Sequence, residues 1–229
     1  MKLRWQPKVR SIEEVEIPVI VMKHSGRAHQ RWKAAQSAWR KSGYLDNSAF
    51  GRYAVLANSK RFRFPKGGLA AYKFGEFYVA LRLHRSGYTC WSAVQLFDHR
   101  NPKKGLWKQN TDEVRRRFAK AGIRWPGIIQ QSLSFIPKTP DIVAHHPRKG
   151  WLFCEVKRPN DRLKTDQLRA LGVLHLLTGA PVGVVRVVPR GGRTNWKPCV
   201  ADIAYGRSAR RAPWLHPSHK GLRRPSAGK

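Results

Sequence analysis

The spacing of apolar and polar residues predicts an ordered α/β pattern that begins about a third of the way along the chain. From Leu69 to Arg85 the apolar side chains recur at helical spacing, and Gly87 then supplies a helix stop. The stretch from Thr89 to Phe97 predicts a strand, and Thr111 to Lys120 predicts a basic helix. This part of the chain therefore predicts a helix, a strand and an insertion that holds the basic helix.

A second set of elements follows the insertion. Asp141 to Ala144 and Trp151 to Val156 each predict a short strand, and Thr165 to Thr178 predicts a helix closed by Gly179. The run from Val182 to Val188 is β-branched and predicts a strand that is buried on both faces. The resulting order is helix, strand, insertion, strand, strand, helix, strand, which is typical of an α/β domain.

Composition divides the chain into three zones. We predict a basic N-terminal extension at residues 1–67, a folded domain at 68–189 with an insertion at about 100–139, and a basic flexible tail at 190–229. In the first zone, Ala28 to Lys41 predicts a short basic helix with Trp32 and Trp39 on one face. Packing is the first interpretation of these tryptophans, and stacking on nucleic-acid bases is the alternative.

The charge of the chain indicates a polyanionic partner. It has 46 Lys and Arg against 13 Asp and Glu, a net charge of +33. Repulsion on this scale opposes a compact monomer, and binding to nucleic acid would relieve it. A ribosome-like structural binder and a membrane surface are the alternatives, although no long basic amphipathic helix supports the second.

Cysteine usage and hydropathy give an expected location. Cys90, Cys154 and Cys199 lie far apart without a CxxC pair, which argues against a disulfide framework and favours a reducing compartment. No apolar run approaches the ~20 residues that span a bilayer. We therefore expect a cytoplasmic protein.

Acidic residues are scarce, and three positions stand out as candidate chemistry. Glu155 lies inside an apolar strand, and Lys157 projects to the same side because side chains alternate along a strand. Asp141 opens the preceding strand, directly after Pro140. Two neighbouring strands can thus present two carboxylates and an ammonium at one sheet edge, a set that suits Mg²⁺ or Mn²⁺. The alternative is a buried Glu–Lys pair with a structural role.

The sequence around these residues resembles a known family. Pro140-Asp141-Ile142-Val143, the run from Glu155-Val156-Lys157 to Asp161-Arg162-Leu163, and Gln167 on the next helix closely resemble the virus-type replication-repair nuclease (VRR-NUC) family of the PD-(D/E)xK superfamily. The resemblance covers residues 140 to about 188 well and residues 69–139 loosely. It implies a restriction-endonuclease-like core with a mixed central sheet, and a metal-dependent nuclease.

The resemblance also implies roles for individual residues. Asp141 and Glu155 would be metal ligands together with the carbonyl of Val156, and Lys157 would be the catalytic lysine. Gln167 would line the site and assist catalysis. Further along, the turn at Asp161-Arg162-Leu163 would fix the following helix beside the sheet. Arg158 replaces the glycine that is usual after the lysine in this family, which could alter how the substrate approaches.

The superfamily expects one more metal ligand, a glutamate on the first helix. Glu76 is our candidate, because it shares a face with Val79, Ala80 and Leu83. A solvated glutamate is the alternative interpretation. Glu113 is the rival candidate, on a charged helix that we expect to face solvent or DNA.

Several basic residues are candidate contacts for the phosphate backbone. They lie on the basic helix and around the predicted active site: Arg115, Arg116, Arg117, Lys120, Arg158, Arg162 and Lys164. The solvated-face alternative for the basic helix is weakened by the scarcity of nearby acids. His145 and His146 follow the Asp141 strand, where a neutral histidine in a loop is a commoner role than a metal ligand.

The leading hypothesis is an Mg²⁺- or Mn²⁺-dependent DNA endonuclease acting on structured or branched DNA. The alternatives are a non-catalytic nucleic-acid-binding protein with the same fold and a secreted nuclease toxin. RNA as the substrate, a homodimeric state and a repair, phage or toxin context stay open.

Overall fold

The computed structural model describes most of the predicted folded domain and part of each flank. The described residues are 5–11, 13–30, 32, 74–91, 94–97, 105–126, 133, 137–192 and 194–203. Within them the strands are β1 (Lys8–Val9), β2 (Glu14–Ile17), β3 (Val19–His24), β4 (Thr89–Trp91), β5 (Ile142–His146), β6 (Gly150–Lys157), β7 (Val182–Pro189) and β8 (Cys199–Asp202). The helices α1 (Phe74–Arg85), α2 (Gly105–Lys120) and α3 (Thr165–Thr178) accompany them.

A mixed five-stranded sheet forms the centre of the fold. Its strand order is β3-β7-β6-β5-β4. The pairs β3–β7 and β7–β6 are parallel, whereas β6–β5 and β5–β4 are antiparallel. A mixed sheet with helices packed on it confirms the predicted α/β class with a mixed central sheet.

The two faces of this sheet carry separate apolar clusters. On one face Phe153 of β6 packs with Leu171 and Leu174 of α3. On the other face Val156 of β6 packs with Phe77 and Val79 of α1. Because side chains alternate along β6, Glu155 and Lys157 lie on the face of Phe153 and therefore on the α3 side.

Both flanks contribute strands to the fold. Val15 and Ile17 of β2 are fully buried, β2 pairs with β8, and β3 pairs with β7 along its whole length. The expectation of a flexible tail is therefore wrong for residues 199–202, which form β8. The sequence did not reveal β2 and β8 because each has only four residues and charged residues lie within it or beside it.

Two predicted boundaries also need correction. The strand predicted from Thr89 to Phe97 is too long: β4 is Thr89–Trp91, and residues 94–97 are not in a strand. The backbone N–H groups of Gln95 and Leu96 donate instead to the Thr111 and Thr139 hydroxyls at 3.1 and 3.0 Å. The helix predicted to begin at Thr111 begins at Gly105. Thr111 resembles a helix cap in the sequence, but its hydroxyl bonds to the segment after β4 instead.

The packing interpretation of Trp32 is confirmed. Its side chain is 1% exposed, and its ring stacks on Phe77 with centroids 4.6 Å apart. Trp39 lies outside the described residues. Among the helices that the structure describes, none is long and apolar enough to cross a bilayer.

Candidate active site

A cavity of about 200 Å³ opens where four element ends meet. They are the carboxyl end of β6 and the beginnings of β5, α1 and α3. The cavity is lined by Gly75, Glu76, Asp141, Glu155, Val156, Lys157, Arg158, Asp161 and Gln167. The structure therefore brings together all the residues that the sequence predicted as metal ligands or catalytic groups.

The β5–β6 hairpin places Asp141 beside Glu155. Ile142 pairs with Cys154, so the next position in the same antiparallel register sets Asp141 against Glu155. The Oδ2 atom of Asp141 accepts a hydrogen bond from the backbone N–H of Val156 at 2.8 Å. A carboxylate thus takes the place of a backbone acceptor where the ladder ends, which fixes its direction.

Glu155 is a buried carboxylate with two side-chain donors. It is 1% exposed, and the Nζ atom of Lys157 donates to its Oε1 atom at 2.6 Å. The side-chain amide of Gln167 donates to the same oxygen. The predicted side-by-side placement of Glu155 and Lys157 on one face of the strand is therefore observed.

The charges of Asp141, Glu155 and Lys157 together favour a bound cation. Burial and the neighbouring carboxylate of Asp141 raise the pKa of Glu155 to about 8, although the hydrogen bond and charge of Lys157 act in the opposite direction. One ammonium is too little to compensate two carboxylates held together in an apolar setting. Two carboxylates with a backbone carbonyl beside them are hard oxygen donors, so these residues fit a divalent cation such as Mg²⁺ or Mn²⁺.

Glu76 lines the same cavity from the opposite side of the sheet. It is half-buried in the first turn of α1, whose Val79, Ala80 and Leu83 pack on the other face. Gly75 permits the close approach, because an added Cβ would lie 3.1 Å from Cγ1 of Val156. Among the described residues, no group of three or more His, Cys, Asp or Glu side chains is close enough to hold an ion.

Glu113, the rival of Glu76, does not line this cavity. It accepts hydrogen bonds from the indole N–H of Trp91 at 3.2 Å and from Arg117 at 3.0 Å. Its position on a charged helix concealed this role, because the sequence does not show that α2 packs against β4.

Two arginines of α2 make contacts within the protein that the sequence did not indicate. Arg117 is ion-paired with Glu113 and lies 5.0 Å from the ring centroid of Trp91. The guanidinium of Arg115 lies 4.6 Å from the ring of Trp125. Arg116 and Lys120 are exposed. A contact with nucleic acid stays a prediction for all four cations. Arg116 and Lys120 are the better candidates, because Arg115 and Arg117 already contact other side chains of the protein.

The turn after β6 leads from Lys157 to α3. Arg158 and Asp161 form an ion pair across it at 3.1 Å, while Arg162 and Lys164 are exposed. At the start of α3, Gln167 also accepts the backbone N–H of Lys164 at 3.1 Å. One side chain thus caps the helix and bonds to Glu155.

The two histidines lie at the far end of β5. The ring of His145 packs against Trp151 with centroids 4.8 Å apart, and Nδ1 of His146 accepts backbone N–H groups from the following turn. Neither lines the cavity. Sequence reasoning missed Arg186, a buried cation next to Lys157 in the sheet. The signal available was a lone arginine in an otherwise apolar β-branched strand.

Comparisons with known proteins match parts of this chain. A family model described as the VRR-NUC domain matches residues 101–189. A crystal structure of paFAN1 bound to DNA with a one-nucleotide 5′ flap and a gap is 19% identical, with a TM-score of 0.28. The similarity covers 72% of this chain but 25% of that one, and it carries no argument about function. No curated protein matches the chain.

Proposed function

We propose, starting from the match of residues 101–189 to the VRR-NUC domain model, that the protein is a metal-dependent nuclease that hydrolyses phosphodiester bonds in DNA. The observation that supports the proposal is the meeting of Asp141, Glu155, Lys157 and Gln167 at one cavity. These residues come from three separate parts of the chain, and a structural Glu–Lys pair would need neither the aspartate nor the glutamine.

Asp141, Glu155 and the carbonyl of Val156 would hold Mg²⁺ or Mn²⁺, with Glu76 as a further ligand. A divalent cation in such a site neutralises charge on the phosphate and makes water easier to deprotonate. The backbone N–H of Val156 keeps Asp141 in place for this role, at 2.8 Å.

Lys157 and Gln167 supply the donors of the site. Lys157 is 8% exposed, so its ammonium acts in a poorly solvated setting where its charge has a stronger effect than in water. It would orient the attacking water or stabilise negative charge that develops on the phosphate. Gln167 holds the Glu155 carboxylate in its present orientation.

Exposed cations on the segment after β6 suit a phosphate backbone. Arg158 lines the cavity, and Arg162 and Lys164 are exposed a few residues further along the chain. The net charge of +33 adds affinity that does not depend on sequence. Phosphate contacts position a nucleic acid but do not read its bases. We therefore propose structured or branched DNA as the substrate rather than a short base sequence.

The test compares cleavage by the wild type, Lys157→Ala and Lys149→Ala. Lys149 is an exposed residue in the turn at the other end of β6, so its variant loses the same charge far from the cavity. Labelled duplex, flap, junction and single-stranded DNA and RNA are incubated with Mg²⁺, Mn²⁺ or EDTA. We expect cleavage with either cation, none with EDTA, and a loss of at least about a hundredfold in Lys157→Ala only.

Two outcomes would contradict the proposal. Either the wild type cleaves no substrate with either cation, or Lys157→Ala cleaves as well as Lys149→Ala. DNA binding alongside the first outcome would leave a non-catalytic nucleic-acid-binding protein, whereas the second outcome would remove Lys157 from the catalytic residues.

A further inference from the structure

Arg186 is a cation in a strand that is otherwise apolar up to its last residue. It is 8% exposed, and it lies directly beside Lys157 in the parallel pairing of β6 with β7. The alternation of side chains puts it on the same face as Val182 and Val184, both of which are fully buried. A valine at this position could be buried without any hydrogen-bond partner, whereas a buried guanidinium needs hydrogen-bond acceptors.

The acceptors that Arg186 finds belong to the turn after Lys157. Its Nη1 atom donates to the backbone carbonyls of Arg158 and Asp161 at 2.9 and 2.6 Å. The same turn is closed by the N–H of Asp161, which donates to the carbonyl of Arg158 at 3.1 Å, and by the side chain of Asp161, which accepts the N–H of Arg158 at 2.9 Å. Arg186 thus holds both ends of the turn from inside the fold.

Trp196 covers the guanidinium from the other side. The Arg186 guanidinium carbon lies 4.2 Å from the Trp196 ring centroid, within the range of a cation–π contact. Trp196 lies between β7 and β8, beyond residue 189 where the VRR-NUC match ends. The pairing of β8 with β2 anchors this segment to the rest of the fold.

The clamped turn connects the two parts of the candidate site. Lys157 immediately precedes it, and the chain then continues to Gln167 in the first turn of α3. A shift of this turn would move the ammonium and the amide that both bond to Oε1 of Glu155. Displacements of about 1 Å in a catalytic group can cost about a hundredfold in rate.

We propose that Arg186, covered by Trp196, is a positioning residue that holds the turn from Arg158 to Asp161 and thereby sets the places of Lys157 and Gln167. The inference rests on the proposed nuclease function. It also means that the nuclease site is supported by a residue outside the matched domain.

The test uses three variants of the full chain and one control. Arg186→Met removes the donors at similar length, Arg186→Lys keeps a charge with a different head group, and Trp196→Ala changes a half-buried side chain with little risk to folding. Val182→Ala is the control, because it removes buried volume from the same face of β7 at the end far from the turn. Hydrogen exchange, thermal melting and steady-state cleavage are measured on each.

We expect faster amide exchange at residues 158–167 in Arg186→Met and Trp196→Ala, and no local change there in Val182→Ala. The kcat should fall about ten- to a hundredfold in Arg186→Met at unchanged KM, with partial rescue in Arg186→Lys. Val182→Ala should keep its kcat despite a lower melting temperature.

The inference is overturned if exchange at residues 158–167 in Arg186→Met equals that of the wild type. It is equally overturned if Val182→Ala loses as much kcat per degree of lowered melting temperature as Arg186→Met does. Arg186 would then only stabilise the fold. Failure of the nuclease proposal is distinguishable, because it appears as a wild type that cleaves nothing, while the exchange measurement still tests the clamp.

Discussion

Individual carboxylates in this protein have distinct tasks that their surroundings assign. Asp141 ends a strand ladder, Glu155 is buried beside a lysine, and Glu113 bonds to an indole and an arginine. Asp161 closes the turn after β6 with Arg158. A carboxylate in this protein is therefore a candidate metal ligand, a packing partner or a stabiliser of a turn, depending on its neighbours.

Glu76 and Glu113, the two candidates for the metal ligand on a helix, should differ in their effect on cleavage. Glu76→Gln should lower the cleavage rate by about tenfold or more, because a carboxylate that lines the cavity is lost. Glu113→Gln should leave the rate within about twofold but lower the melting temperature, because Glu113 bonds to Trp91 and Arg117. Parallel melts and cleavage assays check both, and the reverse pattern would assign the ligand to Glu113.

Asp161 gives a prediction of pH dependence. Burial alone would raise the pKa of its carboxyl, but hydrogen bonds and charge from Arg158 outweigh burial and hold that pKa below its usual value. A lowered folded-state pKa contributes stability above the unfolded value of about 3.9 and loses it as pH falls through the folded value.

Asp161→Asn should therefore lower the stability at neutral pH by about 1 kcal/mol or less, because the pair is partly exposed. Thermal melts of both proteins between neutral pH and about pH 3 check the sign. The difference should shrink in acid, and a difference that is constant with pH would refute the charge argument.

Which site residues the sequence could predict follows from the distance of their contacts along the chain. Strand alternation and a short hairpin bring Asp141, Glu155 and Lys157 together, so local spacing was sufficient. Arg186 bonds to a turn that is 25 to 28 residues away in the sequence, and Trp196 reaches it from beyond β7. Spacing within one element does not report such contacts.

At the scale of elements, α3 links the site to the C-terminal strand. The helix carries Gln167 at its start and packs on Ala201 and Ile203 further along. Gly172 permits this packing, because an added Cβ would lie 2.8 Å from Ile203 Cδ1 and 3.1 Å from the Ala201 Cβ. Ile203 is fully buried, so it has little room to move.

Gly172→Ala should therefore destabilise the protein by about 1 to 3 kcal/mol through overpacking, despite the better helix propensity of alanine. Gly26→Ala is the matched control, because nothing lies within 4 Å of its added Cβ. Denaturant unfolding of both variants is the measurement. A neutral or stabilising Gly172→Ala would contradict the packing of α3 on the C-terminal segment.

Elements with long apolar patterns were predictable, and short ones among charges were not. The limits of α3 agree with its prediction because it has an apolar interior and an αL glycine, Gly179 with φ of 68°, at its end. The strands β2 and β8 are four residues each. Their burial depends on pairing with each other, which neither segment shows alone.

At the scale of the whole molecule, the excess of positive charge governs association with polyanions. Exposed cations should contribute more to the affinity for a polyanion than ion-paired cations do, because a paired side chain must first give up its partner. Arg116 and Lys120 are exposed on α2, while Arg117 is paired with Glu113. The total charge is evident from the sequence, but this division requires the structure.

The affinity for DNA should fall steeply with salt, and the slope of log affinity against log salt reports the number of phosphates contacted. Arg116→Gln and Lys120→Gln should each reduce the magnitude of this slope by about 1. Arg117→Gln should reduce it less. Titrations at several salt concentrations provide the measurement, and equal effects of all three changes would contradict the division.

The proposed function depends on one divalent cation shared by Asp141 and Glu155. Calorimetric titration of the protein with Mn²⁺ tests it directly, with Asp141→Asn and Glu155→Gln as the variants and Glu113→Gln as the control. We expect one Mn²⁺ site in the wild type and the control, and an affinity lower by more than about tenfold in each variant. Wild-type affinity in both Asp141→Asn and Glu155→Gln would contradict it.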